Sequence, residues 1–261
     1  MIFAKMSKNT AALKREENII HLTYEDIAML KKEIIYRNPL TSLGYENEDI
    51  LADGGFGAVM AHAGVGKTAL LVQMGLNTML RDKKVLHVSL HDAVSKVDVW
   101  YHELFQNIAH NFNDAAVKEY WENIQPRRFI MIFKEENFSV PKLEERLTEL
   151  MEQNIFKPHT MIIDGFKFDE IGRKPLAHLK ELAGKRAIRI WFTVHAHRHE
   201  ERAPNELPVW FLHVADLFEV IVELAAENDG VFIKAIKGET PASFQTSLHL
   251  DPSTMLVKGS K

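Results

Sequence analysis

The segment that most constrains the fold is residues 61–68, Ala-His-Ala-Gly-Val-Gly-Lys-Thr, which we call the glycine loop. The apolar run Ala58-Val59-Met60 comes before it, and the amphipathic pattern of residues 67–81 begins at its end. A buried strand that passes through a short glycine turn into a helix is how a βα unit begins. The segment therefore predicts a strand, a tight turn and a helix in direct succession.

The glycine loop has the chemistry of a phosphate cradle. Gly64 and Gly66 can adopt backbone angles that point successive N–H groups inward, and the helix behind them presents its positive dipole end. Lys67 would add a point charge for the β- and γ-phosphates, and the Thr68 hydroxyl would coordinate Mg²⁺. The run fits the Walker A pattern with Ala61 in the first position. The predicted nucleotide-binding residues are Ala63, Gly64, Val65, Gly66, Lys67, Thr68 and Ala69.

A carboxylate follows a second apolar run downstream. Met161-Ile162-Ile163 is a buried-strand pattern, and Asp164 comes directly after it. This is the Walker B form, in which the carboxylate holds the water shell of Mg²⁺ opposite Thr68. Apolar strands that end in Asp are common at turns, so the pattern gains its weight from the glycine loop upstream. Thr68 and Asp164 are the predicted metal-binding residues.

Apolar runs alternate with helical patterns along the middle of the chain, which predicts an α/β fold with a mainly parallel sheet flanked by helices. The predicted strands are residues 58–61, 84–90, 129–133, 160–163 and 188–194. The predicted helices are residues 67–81, 94–110, 141–153 and 175–183. After residue 209 the runs become shorter and β-rich, with turn signals at 228–230 and 237–238. They predict antiparallel strands at one edge of the sheet, at residues 217–224, 231–236 and 244–250.

The N-terminal region differs from the rest of the chain. Residues 1–18 are polar and lysine-rich without periodicity, whereas residues 23–37 have apolar positions at helical spacing. We therefore expect an N-terminal arm and accessory helix in residues 1–40. Residues 41–261 would form the nucleotide-binding domain.

Composition narrows the classes of function. The chain has 46% hydrophobic and 26% charged residues, as globular proteins do, and its zero cysteines exclude disulfides, cysteine-bound zinc and a thiol nucleophile. A formal net charge of −4 gives no overall attraction to nucleic acids. No apolar stretch approaches about 18 residues, and the N-terminus lacks the apolar core of a signal peptide. These features predict no membrane segment and a cytoplasmic location.

Four further features occur in the order typical of one protein family. They are the run Gly54-Gly55-Phe56-Gly57, the strand pattern of residues 85–90, the run Ile163-Asp164-Gly165 and the β-rich C-terminal hairpins. Together with the Walker A run they resemble the RecA-like P-loop ATPases, especially the KaiC/RadA/DnaB-type branch, over residues 40–257. The resemblance implies a RecA-like P-loop fold, ATP with Mg²⁺, and a homo-oligomer or protein partner, such as a nucleotide-dependent ring or dimer.

The resemblance also suggests catalytic residues. In that branch the strand after the P-loop helix ends in a Ser-apolar-Glu-Glu signature, whose Glu polarises the attacking water. The matching run here is Ser89-Leu90-His91-Asp92, so His91 stands in place of the base and Asp92 lies beside it. A carboxylate can accept two hydrogen bonds, whereas a neutral imidazole accepts one. The alternative is that both are surface loop residues.

A polar residue at the end of the strand after Walker B senses the γ-phosphate in RecA-like proteins. His195 is the first candidate for that role and Thr193 the second. Alternating histidines in residues 195–199 would place three imidazoles on one side of an extended segment, as a metal site requires. We favour a solvated basic loop for this run, because no cysteine or further ligand cluster supports a metal.

The C-terminal strands of the family carry Lys and Arg residues that reach the nucleotide of a neighbouring subunit. Lys234 and Lys237 lie in the corresponding segment, but Ile236 stands near the expected arginine. Lysines that keep an edge strand soluble are the alternative. The sequence thus predicts a weak or partner-stimulated Mg-dependent ATPase. A non-hydrolysing nucleotide-gated regulatory or assembly protein is the alternative. Nucleic acid is a possible partner that the charge does not support, and for a nucleic-acid motor the sequence lacks a basic excess and an Arg/aromatic-rich loop.

Overall fold

The computed structural model describes residues 24–36, 50–168, 172–197, 200–227, 230–238, 248–251, 253–254 and 256. The predicted N-terminal arm, most of the turn at 228–230 and residues 244–247 of the last predicted strand lie outside the described residues. The division into an N-terminal region and one domain stays a prediction.

Eight strands within the described residues form one sheet in the order β3-β2-β4-β5-β1-β6-β7-β8. Their bounds are β1 Phe56–Ala61, β2 Val85–Ser89, β3 Arg128–Ile132, β4 Thr160–Asp164, β5 Arg189–His195, β6 Val220–Glu227, β7 Gly230–Lys237 and β8 Leu248–Leu250. Neighbouring strands from β3 through β6 pair in parallel, and β7 and β8 pair antiparallel. The chain is therefore an α/β protein with a mostly parallel mixed sheet.

Helices cover both faces of this sheet. Their bounds are α1 Tyr24–Tyr36, α2 Lys67–Leu80, α3 Val94–Ala109, α4 Asp114–Ile124, α5 Val140–Glu152 and α6 Arg173–Arg186. Side chains of α1 to α4 share one apolar cluster with Val59 and Ala61 of β1. Side chains of α5 and α6 share the other with Ala58 and Met60. Successive β1 residues thus point into opposite cores, as in a parallel strand buried on both faces.

Most of the predicted elements are confirmed, with shifts of a few residues at their ends. The strand before the glycine loop begins earlier than predicted, at Phe56, and the helix predicted at residues 175–183 is the longer α6. The sequence-based prediction contained no helix at α4, which is a finding of the structure. None of the helices in the described ranges combines the length and the apolar composition that a membrane-spanning helix needs.

The prediction that all C-terminal strands are antiparallel is wrong for β6. This strand pairs in parallel with β1, from Gly57 opposite Val220 to Ala61 opposite Leu224. Its bounds also differ from the predicted 217–224, because Ala215–Leu217 is a short 3-10 helix and the strand runs to Glu227. β6 begins with a Val-Ile-Val run that is buried like the central strands. Only β7 and β8 extend the sheet in the antiparallel sense.

The topology creates a crevice at the carboxyl end of β1. Helix α2, which follows β1, packs in the first apolar cluster, whereas Phe211 and Ala215 of the connection after β5 pack in the second. The chain segments that follow these two adjacent strands thus cross to opposite faces of the sheet. In open α/β sheets, such a switch point is where ligands bind.

Candidate functional site

A cavity of about 440 Å³, which we call the site cavity, lies at this switch point. The segments that follow β1, β2, β4 and β5 contribute to its wall, together with Trp210. The predicted site residues that line it are Ala63, Lys67, Thr68, His91, Asp164, Thr193 and His195. Side chains predicted from separate parts of the sequence therefore meet in one place.

The glycine loop has the backbone conformation that its sequence predicts. Gly64 has a φ of 77° and Gly66 a φ of 107°, both in the left-handed region that disfavours residues with a side chain. Helix α2 begins at Lys67, directly after Gly66, and the Leu70 N–H donates to the Gly66 carbonyl at 3.0 Å. The free N–H groups of the first helical turn are thus directed at the end of the loop.

The Lys67 ammonium folds back against the glycine loop. Its Nζ donates to the carbonyl oxygens of Ala61 and His62, each at 2.9 Å. Burial lowers the pKa of Lys67, and the nearby charge of Asp164 opposes this change. Its contacts hold the ammonium group at the loop, where an anion would be bound.

Asp164 is held by two hydroxyl groups from different elements. The Thr68 hydroxyl donates to Oδ2 at 2.7 Å, and the Thr193 hydroxyl donates to Oδ1 at 2.8 Å. Thr193 in turn accepts from the backbone N–H of Gly165 at 2.8 Å. Thr193, the second candidate sensor, is therefore a support for Asp164. Together these bonds fix the carboxylate beside the start of α2.

The donor atoms at this point fit a magnesium ion. Mg²⁺ prefers hard oxygen ligands, and proteins usually supply it with one or two carboxylates while water and phosphate complete the shell. The Thr68 hydroxyl and the Asp164 carboxylate provide such oxygens within 2.7 Å of each other. Among the described residues, no group of three or more His, Cys, Asp or Glu side chains could hold a metal by itself.

His91 and Asp92 follow β2, and their side chains make contacts on different sides. The His91 ring lines the site cavity, and its Nδ1 lies 3.3 Å from Glu135 Oε2. The Asp92 carboxylate instead accepts a hydrogen bond from Lys96 Nζ at 2.7 Å, and Lys96 lies in the first turn of α3. The prediction of Asp92 as a catalytic residue receives no support from this geometry, because the α3 contact holds its carboxylate outside the cavity lining.

His195 lies at the carboxyl end of β5 and lines the site cavity. Burial lowers its pKa, and the nearby charges of Lys67 and His197 lower it further. The neutral form of the ring is thus favoured. The His195 and His197 rings contact edge to face at 4.8 Å between centroids, and His199 lies outside the part of the chain that is described.

Lys234 lies outside the site cavity of its own chain. It forms an ion pair with Glu206, and Lys237 donates to the Ala215 carbonyl at 2.8 Å. Ile236 packs against the second apolar cluster. The geometry therefore does not bring Lys234 to the predicted nucleotide site of this chain. A role across a subunit boundary remains a prediction.

Sequence reasoning missed several residues around the cavity. Lys167 and Trp210 line its wall, and Glu135 connects to it through His91 and Lys167. The Trp210 indole donates to Glu200 Oε2 at 2.8 Å. Lys167 and Glu135 could have been identified from one feature of the sequence. Both follow the carboxyl end of a predicted parallel strand, where ligands bind. Trp210 lies in a short 3-10 helix, Val209–Phe211, and follows no predicted strand end, so it carried no such signal.

Neither a comparison with models of known protein families nor a search among curated proteins found a match to this chain.

Proposed function

We propose that the chain is a RecA-like P-loop protein that binds ATP with Mg²⁺ in the site cavity and hydrolyses it slowly. The observation that carries this proposal is the 2.7 Å contact between the Thr68 hydroxyl and Asp164, in the same cavity as the Lys67 ammonium. A cation, a hydroxyl and a carboxylate in this arrangement match the needs of a magnesium-bound triphosphate.

Each residue would have a separate task. The N–H groups at the end of the glycine loop and the start of α2 would bind phosphate oxygens. Lys67 would exchange its bonds to the Ala61 and His62 carbonyls for bonds to the β- and γ-phosphates. Thr68 and Asp164 would hold Mg²⁺, and Thr193 would keep Asp164 oriented. Bound Mg²⁺ would neutralise the charge that develops on the phosphate oxygens.

A nucleotide-gated protein without hydrolysis is the second candidate function. One observation favours it: among the described residues that line the site cavity, Asp164 is the only carboxylate. Both of its oxygens already accept a hydroxyl hydrogen bond. A carboxylate that is free to orient water is thus missing from this part of the lining.

Calorimetry with Mg-ATP tests nucleotide binding. The wild-type chain should give a saturable heat that Lys67→Ala greatly reduces, because the substitution removes the cation at the glycine loop. Lys118→Ala is a matched control, since Lys118 is exposed on α4. The absence of any heat with wild-type protein would refute the proposal. Phosphate release measured on the same samples separates the two candidates, because only the enzyme would release phosphate faster than the Lys67→Ala variant.

A further inference from the structure

The site cavity extends well beyond the glycine loop. The segments that line it follow β1, β5, β4 and β2, which are successive neighbours in the sheet. Because neighbouring strands lie about 4.8 Å apart, the lining stretches over roughly 14 Å. The glycine loop contributes Ala63, Lys67 and Thr68, all at the β1 end. The other end of the cavity therefore has walls that the glycine loop does not form.

One of these walls is aromatic and belongs to the opposite face of the sheet. Phe166 and Phe168 line the cavity and pack in the second apolar cluster, against which Trp210 also packs. We call these three residues the aromatic wall. The Phe166 and Phe168 rings lie 4.6 Å apart between centroids, and the bond from Trp210 Nε1 to Glu200 Oε2 holds the indole. The wall thus offers a fixed apolar surface, which suits an apolar ligand and contributes nothing to a phosphate.

The polar groups beside the aromatic wall are cations and hydrogen-bond donors. Lys167 lines the cavity, as do His91 and His197. The Lys167 ammonium pairs with Glu135, but it has three donor hydrogens and can share them with a second anion. Among the described residues of the lining, Asp164 is the only carboxylate, and both of its oxygens accept a hydroxyl hydrogen bond. This end of the cavity therefore favours a ligand with an apolar body and a negative charge.

The position of the aromatic wall connects such a ligand to the nucleotide. Phe166 follows Asp164 by two residues, so the wall begins beside the predicted magnesium site. A hydroxyl group that attacks phosphorus has to lose a proton, usually to a carboxylate. A carboxylic acid with a pKa of about 4.3 is already ionised at pH 7 and attacks without losing a proton. An ionised acceptor thus suits a lining without a free carboxylate.

We propose that the aromatic wall binds a small apolar carboxylate, and that this carboxylate accepts the γ-phosphoryl group of ATP. This inference rests on the proposed function. A carboxylate oxygen forms a bond to the γ-phosphorus, and the bond from that phosphorus to the oxygen that bridges it to the β-phosphate breaks. The products are ADP and an acyl phosphate, and no proton is transferred. Slow hydrolysis is the reaction that remains when water takes the place of the acceptor.

The transfer is tested on the full-length protein with Mg-ATP and phenylacetate. Hydroxylamine traps an acyl phosphate as a hydroxamate, and ADP is measured in the same samples. Acetate lacks the ring and 2-phenylethanol lacks the charge, so these two controls separate the two features. We expect hydroxamate and ADP in equal amounts, formed at least about tenfold faster with phenylacetate than with either control. Benzoate and hexanoate extend the test to other apolar bodies.

A substitution at Lys167 tests where the carboxylate binds. Lys167→Met removes the charge and keeps a long side chain. Calorimetry without nucleotide should show that it weakens phenylacetate binding by at least about fivefold, and that Mg-ATP binding is weakened much less. Lys174→Met is the matched control, because Lys174 is exposed on α6, and it should match the wild type for both ligands. Equal losses for phenylacetate and Mg-ATP in Lys167→Met would overturn the inference.

The failure of this inference is distinguishable from the failure of the proposed function. No heat with Mg-ATP would refute both. Mg-ATP binding without hydroxamate from phenylacetate, benzoate or hexanoate would overturn the inference and leave nucleotide binding intact. Faster ADP formation without hydroxamate would also overturn it, because the carboxylate would then only stimulate hydrolysis.

Discussion

Thr193 is one of the two residues whose hydroxyl groups orient Asp164. Its side chain is buried, donates to Asp164 and accepts from Gly165 N–H. Thr193→Val would keep the shape but leave a backbone donor without its partner. We expect a loss of about 1–3 kcal/mol in the free energy of unfolding, measured in urea, and weaker Mg-ATP binding by calorimetry.

Thr78→Val is the control for this substitution. The Thr78 hydroxyl donates to the Met74 carbonyl at 3.0 Å within α2, where no site residue depends on it. Its removal should cost less than about 1 kcal/mol and leave nucleotide affinity unchanged. Equal effects of the two substitutions on Mg-ATP binding would contradict the role assigned to Thr193.

His87 makes the stability of the core depend on pH. Burial lowers the pKa of His87 from 6.5 to about 4, and the Tyr101 hydroxyl lies 3.2 Å from its Nδ1. As the pH falls below 6.5, the unfolded chain takes up a proton at this residue that the folded chain does not take up until about pH 4. We therefore expect this contribution to stability to be complete well above pH 6.5 and to fall by about 3 kcal/mol as the pH drops toward 4.

His87→Asn tests this dependence. The asparagine oxygen can accept from the Tyr101 hydroxyl, but the residue does not titrate. Urea unfolding of both proteins between pH 7.5 and 4.5 should therefore show a smaller loss of stability in the variant. Parallel curves over this interval would show that His87 does not carry the effect.

The contrast between Asp164 and Glu135 shows what could be predicted at single residues. The positions of Lys67 and Thr68 were predictable because a motif sets their spacing. That of Asp164 was predictable because it ends an apolar strand pattern and parallel strands end at one edge of a sheet. The contact of Glu135 with His91 joins residues 44 positions apart in two loops. No periodicity describes loop ends, so this contact required the structure.

At the scale of secondary-structure elements, the stability of helix α4 depends on the capping residue at its start. The Asn113 side chain accepts from the N–H groups of Ala115 and Ala116, at 3.0 and 3.3 Å. Asn113→Ala removes this N-cap and should cost about 1 kcal/mol in the free energy of unfolding, as urea titration would show. Asn113→Asp retains an acceptor and should be nearly neutral. Equal losses in the two variants would contradict a capping role.

The same helix shows that a correct local signal can be overlooked. The buried residues of α4 recur at helical spacing behind the capping asparagine, so this helix was predictable from its sequence: Ala116, Val117, Tyr120, Trp121 and Ile124. The direction of β6 was not predictable in this way. A strand buried on both faces has the same pattern of side chains whichever way it runs. Its parallel pairing with β1 is a property of the sheet as a whole.

At the scale of the whole molecule, ligand binding should stabilise the fold. The site cavity joins segments after β1, β2, β4 and β5, so a nucleotide bound there would have to leave before these strands separate. At a free concentration of 100 Kd, the gain is about 2.7 kcal/mol. We expect Mg-ATP to raise the Tm by several degrees in a thermal scan.

Three controls accompany this scan. Removal of Mg²⁺ with EDTA should reduce the shift, because Thr68 and Asp164 would lose the ion that connects them to the phosphates. Lys67→Ala should also reduce it. Adenosine, which has no phosphates, should produce almost none. A shift with adenosine equal to that with Mg-ATP would place the dominant contacts away from the glycine loop.

The oligomeric state is also a property of the whole molecule, and it stays a prediction. Sedimentation of the full-length chain should show a larger species with Mg-ATP than without it, if nucleotide binds at a subunit boundary. A monomeric mass under both conditions would contradict a ring or dimer.

The central claim is that the glycine loop and Asp164 hold a magnesium triphosphate. A crystal structure with Mg²⁺ and a non-hydrolysable ATP analogue tests this claim most directly. We predict the phosphates at the N–H groups of residues 64–68, Lys67 Nζ at the β- and γ-phosphates, and Mg²⁺ between the Thr68 hydroxyl and Asp164. Electron density for the nucleotide at any other place, with Lys67 still bonded to the Ala61 and His62 carbonyls, would contradict the claim.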